Sequence, residues 1–308
     1  MRYYISIAAL LLSVVVMAQT DLTAPDLHRT TYISPYYFGP NAFPVPDMSD
    51  GTVSADLRLE LAGDYYLGFQ KDQTADLFLR LNIPLFTDRV NLSLWMPVVE
   101  GYWNTLERQR TCRLQDTVIM TGYEFGDVYV STDIQVLKQK KYLPDFVLRA
   151  AIKSASGGGW PNARNYDCPG YFFDGTLAKS IYFKHGFFQE LRFAGSAGFL
   201  CWQTDNGRQN DAVMYGAQLK LLTSCFSLAQ VFTGYVGWEN NPSPVKDAHD
   251  RPMTLKTNIT GYIKNWEILF TYQYGIKDYP FHQFRLGVAY KWDMLSAIEA
   301  YKQKKTNH

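Results

Sequence analysis

The sequence predicts an all-β fold, a transmembrane antiparallel up-and-down β-barrel of about twelve strands. Three observations support this prediction. Strand-like stretches of alternating polarity run from about Val53 to Trp292, the links between them are alternately longer and shorter, and the chain opens with a secretory signal. Together they indicate strands with lipid on one face and water on the other.

Residues 1–18 are predicted to be a cleaved signal peptide, with a basic start at Arg2, an apolar run, and a cleavage site at Ala18. The apolar run is shorter than the ~20 residues that a spanning helix needs. No later segment reaches that length, which excludes a helical membrane protein. The formal net charge of +1 argues against nucleic acid as a partner.

Residues 19–51 are rich in Pro and aromatic residues and show no periodicity. Repeated Pro forbids a helix and weakens any strand. Because exposed aromatic side chains are unfavourable in water, we expect this segment to pack against the barrel mouth or to enter the lumen. The alternative is a flexible leader.

The predicted barrel covers residues 52–292, followed by a tail, 293–308, that could form a short amphipathic helix. Its odd-numbered links are mostly longer than its even-numbered ones, which predicts short turns in the periplasm and long loops outside an outer membrane. The predicted strands are 53–67, 75–86, 90–103, 123–137, 145–155, 171–183, 189–203, 211–222, 226–238, 254–263, 267–277 and 282–292.

Trp residues lie at the predicted strand ends, where a ring with an apolar body and a polar N–H favours the membrane interface. Two residues do not fit the predicted lipid face, Lys179 and Gln230. A cation at mid-bilayer costs roughly 2–4 kcal/mol, so either a bulge reverses those strands or the predicted register is wrong there. The Trp residues are Trp103, Trp202, Trp238, Trp266 and Trp292.

The last predicted strand, from Arg285 to Trp292, resembles the assembly signal of outer-membrane β-barrel proteins. That signal has Gly and aromatic residues at fixed positions, matched here by Gly287, Tyr290 and Trp292. The resemblance implies a porin-like barrel in a bacterial outer membrane, in contact with its lipids, and a transient partner in the barrel-assembly machinery. It differs in position, since such proteins usually end there.

The predicted inward face carries charges of both signs. Buried charges need water or each other, so these side chains form either a salt-bridge network that braces the wall or a wet passage that selects solutes. The lumen-lining candidates are Asp56, Arg58, Glu60, Asp76, Arg80, Asp127, Asp133, Arg149, Lys153, Glu190, Arg192, Lys220, Lys256, Glu267, Arg285 and Lys291.

Other chemistry has weaker support in the sequence. Cys112 and Cys168 lie in predicted loops on the same side and could form a disulfide; the alternative is four free thiols. No Gly-x-Ser-x-Gly motif is present and no His is placed for a catalytic triad, so an enzyme is not expected. No cofactor is predicted.

The sequence therefore predicts an outer-membrane channel or transporter for small hydrophilic solutes. Alternatives are a non-conducting structural barrel, or a receptor or adhesin that acts through loops 104–122, 156–170 and 239–253; an outer-membrane lipase or protease is a further alternative.

Overall fold

A computed structural model describes residues 34–85, 87–112, 120–159, 162–166, 168–204, 209–238, 246 and 248–296. The predicted signal peptide lies outside the described residues. No helix in the described ranges is both long and apolar enough to cross a membrane.

The described chain forms a closed antiparallel barrel, as predicted. It closes because β1 pairs with both β2 and β13. The strands are β1 Leu57–Gly68, β2 Gln73–Pro84, β3 Val90–Trp103, β4 Thr121–Glu124, β5 Tyr129–Leu137, β6 Asp145–Lys153, β7 Gly170–Tyr182, β8 Phe188–Gln203, β9 Gln209–Thr223, β10 Phe226–Gly237, β11 Met253–Ile263, β12 Trp266–Lys277 and β13 Phe281–Trp292.

The fourth predicted strand is interrupted. β4 pairs with one part of β3 and β5 with another, so these two strands together occupy one position and the barrel has twelve strands around its circumference. The interruption, 125–128, lies beside Pro97 of β3, where Gly126 N donates to Pro97 O. Proline cannot donate to a strand ladder, which explains the break in regular pairing.

The wall has apolar side chains outside and charged side chains inside. On β1, Leu59 and Leu61 are 39% and 47% exposed, whereas Glu60 and Asp64 are each 4% exposed. This reverses the usual distribution in a soluble protein and is the pattern of a barrel surrounded by lipid. The strand begins at Leu57, so the alternation that the sequence shows from Val53 starts before the strand.

Lys179 and Gln230 do lie on the outer face, with no register shift in β7–β8 or in the pairs that β10 forms. Neither a bulge nor a register error is needed. The Lys179 ammonium donates to the carbonyls of Lys140, Lys141 and Leu143 in a turn at the end of the barrel. A long side chain can reach polar partners at a membrane edge in this way.

Four of the five predicted interface Trp residues are exposed near strand ends, but Trp202 is not. Trp202 is fully buried inside the barrel, because side chains at even-numbered positions of β8 point into the lumen. The last strand closes the barrel against β1, with Gly287 opposite Ala62. A Cβ at Gly287 would approach the Ala62 Cβ to 2.6 Å, so glycine fits this inward position.

The links define two ends of the barrel. The long-link end carries the links from β3 to β4, from β6 to β7 and from β10 to β11, of which the structure describes 104–112, 120, 154–159, 162–166, 168–169, 238, 246 and 248–252. The first of these links contains a short helix α1, Leu106–Thr111. The short-link end carries the turns 85–89, 138–144, 183–187, 224–225 and 264–265. Residues 297–308 of the predicted tail lie outside the described residues, and 294–296 form one helical turn.

Candidate functional site: the occupied lumen

The lumen contains residues 34–56, which we call the lumen segment. Its Ser34 hydroxyl donates to the carbonyl of His249 at the long-link end, and Val53 N donates to Gln135 Oε1 near the short-link end. The segment therefore runs the length of the barrel before the chain turns into β1. This agrees with the expectation that the aromatic-rich stretch enters the lumen.

The segment is not a strand of the wall. Among the described residues, one backbone–backbone hydrogen bond joins it to the rest of the chain, from Gly39 N to Ala163 O. Four prolines between positions 35 and 46 lack the N–H that a ladder requires. Side chains make its other polar contacts, so the segment is a separate body held inside a complete barrel.

At the long-link end, two loop arginines converge on Asp72, which lies between β1 and β2. Arg164 donates to both Asp72 oxygens at 3.0 and 3.1 Å, and Arg108 Nε lies 3.2 Å from Asp72 Oδ2. All three side chains are 0–1% exposed. We call Asp72, Arg108 and Arg164 the long-link seal.

Aromatic side chains of the lumen segment pack beside this seal. Tyr37 and Phe43 are each 1% exposed, and Phe38 meets Tyr166 with ring centroids 5.3 Å apart. Arg108 also donates to the carbonyl of Phe38 at 3.0 Å, which ties the segment to helix α1. Buried side chains thus close the long-link end of the lumen.

A cavity of about 700 Å³ occupies most of the short-link half and extends as far as Tyr66, Trp202 and Tyr279 near the long-link end. Its polar side chains keep contact with solvent: Lys291 is 34% exposed and Asp50 is 32% exposed. Trp95 and Tyr129 stack on one side, with centroids 5.2 Å apart, and the Arg80 guanidinium lies 5.5 Å from the Trp95 ring. The cavity is a hydrated space with charged and aromatic walls.

Ion pairs fix the lumen segment within this cavity. Asp47 lies 2.9 Å from Arg80 on β2 and 2.5 Å from Lys256 on β11. Asp50 pairs with Lys220 at 3.0 Å.

Nearer the long-link end, the segment presents an amide to wall carboxylates. Asn41 Nδ2 donates to Asp76 Oδ2 at 2.9 Å and to Glu100 Oε2 at 2.7 Å. The segment therefore offers a donor where the wall is acidic and carboxylates where the wall is basic. This charge complementarity fixes its direction and its depth in the lumen.

The predicted lining residues fall into four groups. Asp76, Asp127 and Lys153 lie near the long-link end, where Lys153 Nζ is 2.5 Å from Asp127 Oδ2. Asp56 precedes β1 and does not line the cavity. Glu190 and Arg192 line a smaller cavity of about 430 Å³ at the short-link end. The main cavity is lined by Arg58, Glu60, Arg80, Asp133, Arg149, Lys220, Lys256, Glu267, Arg285 and Lys291.

Cys112 and Cys168 are both buried in one apolar cluster, and no disulfide joins them in this structure. The disulfide that the loop positions suggested is therefore not formed here. Burial raises the pKa of the Cys112 thiol, which keeps it protonated. Cys225 is exposed in a turn at the short-link end.

The sequence interpretation missed the residues that hold the lumen closed. Asp72, Arg108 and Arg164 lie in links, where no periodicity indicates which way a side chain points. The sequence did contain a signal for the two carboxylates of the lumen segment. Asp47 and Asp50 are the only charged residues between positions 30 and 52. Two carboxylates in an otherwise uncharged aromatic stretch indicate cationic partners.

Comparison with solved structures gives the same fold. An outer-membrane channel from Pseudomonas putida F1 matches with a TM-score of 0.55 at 11% identity, over 80% of this chain and 100% of that one. The KdgM porin in complex with disordered oligogalacturonate gives a TM-score of 0.46 at 9% identity, over 76% and 99%. LpxR from Salmonella typhimurium gives 0.48 at 11%, also over 76% and 99%.

No protein-family model matches the chain, and no curated protein sequence matches it. At these identities the likeness concerns the fold alone. The chain has the fold of bacterial outer-membrane β-barrel proteins.

Proposed function

We propose that this protein is an outer-membrane channel for small hydrophilic solutes and that the lumen segment closes it. The observation that supports the proposal most strongly is a complete barrel with a charged, hydrated cavity inside it, occupied by a chain segment that is not part of the wall. A barrel of about eight strands can be filled by its own side chains, whereas this barrel of twelve strands also encloses a cavity and a further chain segment.

The proposed orientation places the short-link end in the periplasm and the long-link end outside, in keeping with the usual loop lengths of such barrels. The cavity then opens toward the periplasm, and the long-link seal separates it from the exterior. Solute passes only when the lumen segment leaves its position. Spontaneous openings should be rare, because the aromatic side chains of the segment are buried.

Planar-bilayer recording tests this proposal with the full chain and with a variant that lacks residues 34–51. The full chain is expected to be closed for most of the record, and the variant to give stepwise currents. Resistance of the folded variant to heat in detergent shows that the barrel has formed. A synthetic peptide of residues 34–51, added to the variant, should block the current again.

Absence of current through the folded variant would contradict the proposal and favour a non-conducting barrel. Large, steady current through the full chain would contradict the closing role of the segment.

A further inference from the structure

The cavity wall carries more cations than carboxylates. Its acidic side chains are Glu60, Asp133 and Glu267. The other two carboxylates in the cavity, Asp47 and Asp50, belong to the lumen segment. The seven cations are Arg58, Arg80, Arg149, Lys220, Lys256, Arg285 and Lys291.

Four of these cations are already paired with the wall. Arg58 and Lys291 share Glu267, Arg149 pairs with Asp174 at 2.7 Å, and Arg285 pairs with Asp64 at 2.6 Å. These pairs persist whether or not the lumen segment is in place, because every partner lies on a strand.

The other three cations pair only with the lumen segment among the described residues. Arg80 and Lys256 share Asp47, and Lys220 holds Asp50. They lie on β2, β9 and β11: Arg80 is opposite Lys220 in the order of the twelve strands, and Lys256 lies two strand positions from Lys220. When the segment leaves, three cations lose their counter-charge together.

We infer that the lumen segment acts as a tethered anion, and that the solutes this channel admits are small organic anions that carry carboxylates. This rests on the proposed channel function. Asp47 shows the chemistry of the site: one carboxylate held between a guanidinium and an ammonium group. Arg149 Nη2, which is buried beside the same cavity without a hydrogen-bond partner among the described residues, offers a further donor.

The aromatic lining fits the same class of solute. Arg80 is stacked against Phe78 and Trp95, with its guanidinium carbon 5.1 and 5.5 Å from the ring centroids. Such stacking orients a guanidinium group and leaves its edge free to bind a carboxylate. Arg80 and Lys256, which lie four strand positions apart around the barrel, can together hold one anion in the lumen, as they hold Asp47.

The first test measures the reversal potential of the variant that lacks residues 34–51, across a KCl gradient. The variant is expected to prefer chloride over potassium several-fold. Changing Arg80, Lys220 and Lys256 to Gln together should bring the permeability ratio close to one, whereas Lys184→Gln, in an exposed turn, should leave it unchanged. Preference for potassium, or no preference, would overturn the inference while leaving the channel proposal intact.

The second test uses citrate as the probe in the same deletion variant. Millimolar citrate should reduce the chloride current, and sucrose at the same concentration should not. The block should disappear in the Arg80→Gln, Lys220→Gln, Lys256→Gln variant. A peptide of residues 34–51 with Asp47→Asn and Asp50→Asn should block several-fold more weakly than the native peptide; equal block by the two peptides would overturn the inference.

Discussion

The two halves of the lumen are built from the same twelve strands but are closed in different ways. In the long-link half, Arg108 and Asp72 are fully buried and aromatic rings pack beside them. In the short-link half, Asp47 is 39% exposed and its ion pairs face a hydrated cavity. Breaking a buried ion pair costs ~3–5 kcal/mol, whereas a partly exposed one contributes ~0–1 kcal/mol.

This difference assigns separate roles to the two halves. The long-link half supplies the barrier, because separating its buried ion pairs would leave charges unpaired and away from water. The short-link half supplies recognition, because its ion pairs are weak enough for a solute to replace. Four variants test this difference, in order of decreasing expected effect.

Arg108→Met should open the long-link half. It leaves Asp72 without one of its two guanidinium partners and removes the donor to the Phe38 carbonyl, a loss of ~3–5 kcal/mol for a buried pair. Hydrogen exchange should increase in residues 104–112 and in the lumen segment, while the strands stay protected. Arg110→Met is the matched control, since Arg110 is exposed on the same helix. Equal exchange in both variants would show that Arg108 does not hold the long-link end closed.

Gly51→Ala should destabilise the packing of the lumen segment near the short-link end by ~1–2 kcal/mol. Gly51 has φ +80, and a Cβ at this position would lie 2.5 Å from the Ala178 Cβ. Hydrogen exchange of residues 45–56 measures this change. Gly186→Ala is the control for backbone strain alone, since Gly186 has φ +110 with open space around it. An unchanged segment would show that its contact with the wall at Ala178 is not needed.

Asp47→Asn together with Asp50→Asn should increase the frequency of channel opening without affecting the barrel. Each carboxylate is more than 30% exposed, so each pair contributes at most ~1 kcal/mol and the increase should be several-fold. Single-channel recording provides the measurement. Asp88→Asn, which removes an exposed ion pair with Lys138 outside the lumen, should leave the opening frequency at the native level.

Lys179→Met should change the free energy of unfolding in lipid vesicles by less than ~1 kcal/mol. It removes a donor to three turn carbonyls but also removes a charge from the lipid face, and the two effects oppose each other. A loss above ~3 kcal/mol would mean that this ammonium holds the short-link end together. Lys184→Met in the neighbouring turn is the control.

The barrel could be predicted because lipid and water impose a period of two on every strand. Leu59, Glu60 and Leu61 show their opposite environments in the sequence alone, and the predicted strand bounds differ from the observed ones by only a few residues at most ends. The exceptions have local causes: Pro97 interrupts the pairing of β4 and β5, and Trp202 has inward parity near the end of β8.

The closed state of the lumen could not be predicted in the same way. Arg108 and Arg164 reach Asp72 from links far apart in the chain, and only the folded barrel brings these links together. The lumen segment has no periodicity because it packs against different surroundings at each residue. Its composition indicated burial, but Asp47 and Asp50 became informative only once their cationic partners were placed.

The central claim is that the lumen is open to the short-link side and closed to the long-link side. Thiol labelling tests it directly: in a Cys225→Ser background, where the remaining thiols are buried, Asn258→Cys places one thiol in the cavity. A membrane-impermeant thiol reagent should leave this cysteine unlabelled in intact cells and label it once the reagent reaches the periplasm. Rapid labelling in intact cells would show that the lumen is open to the exterior and would contradict closure at the long-link end.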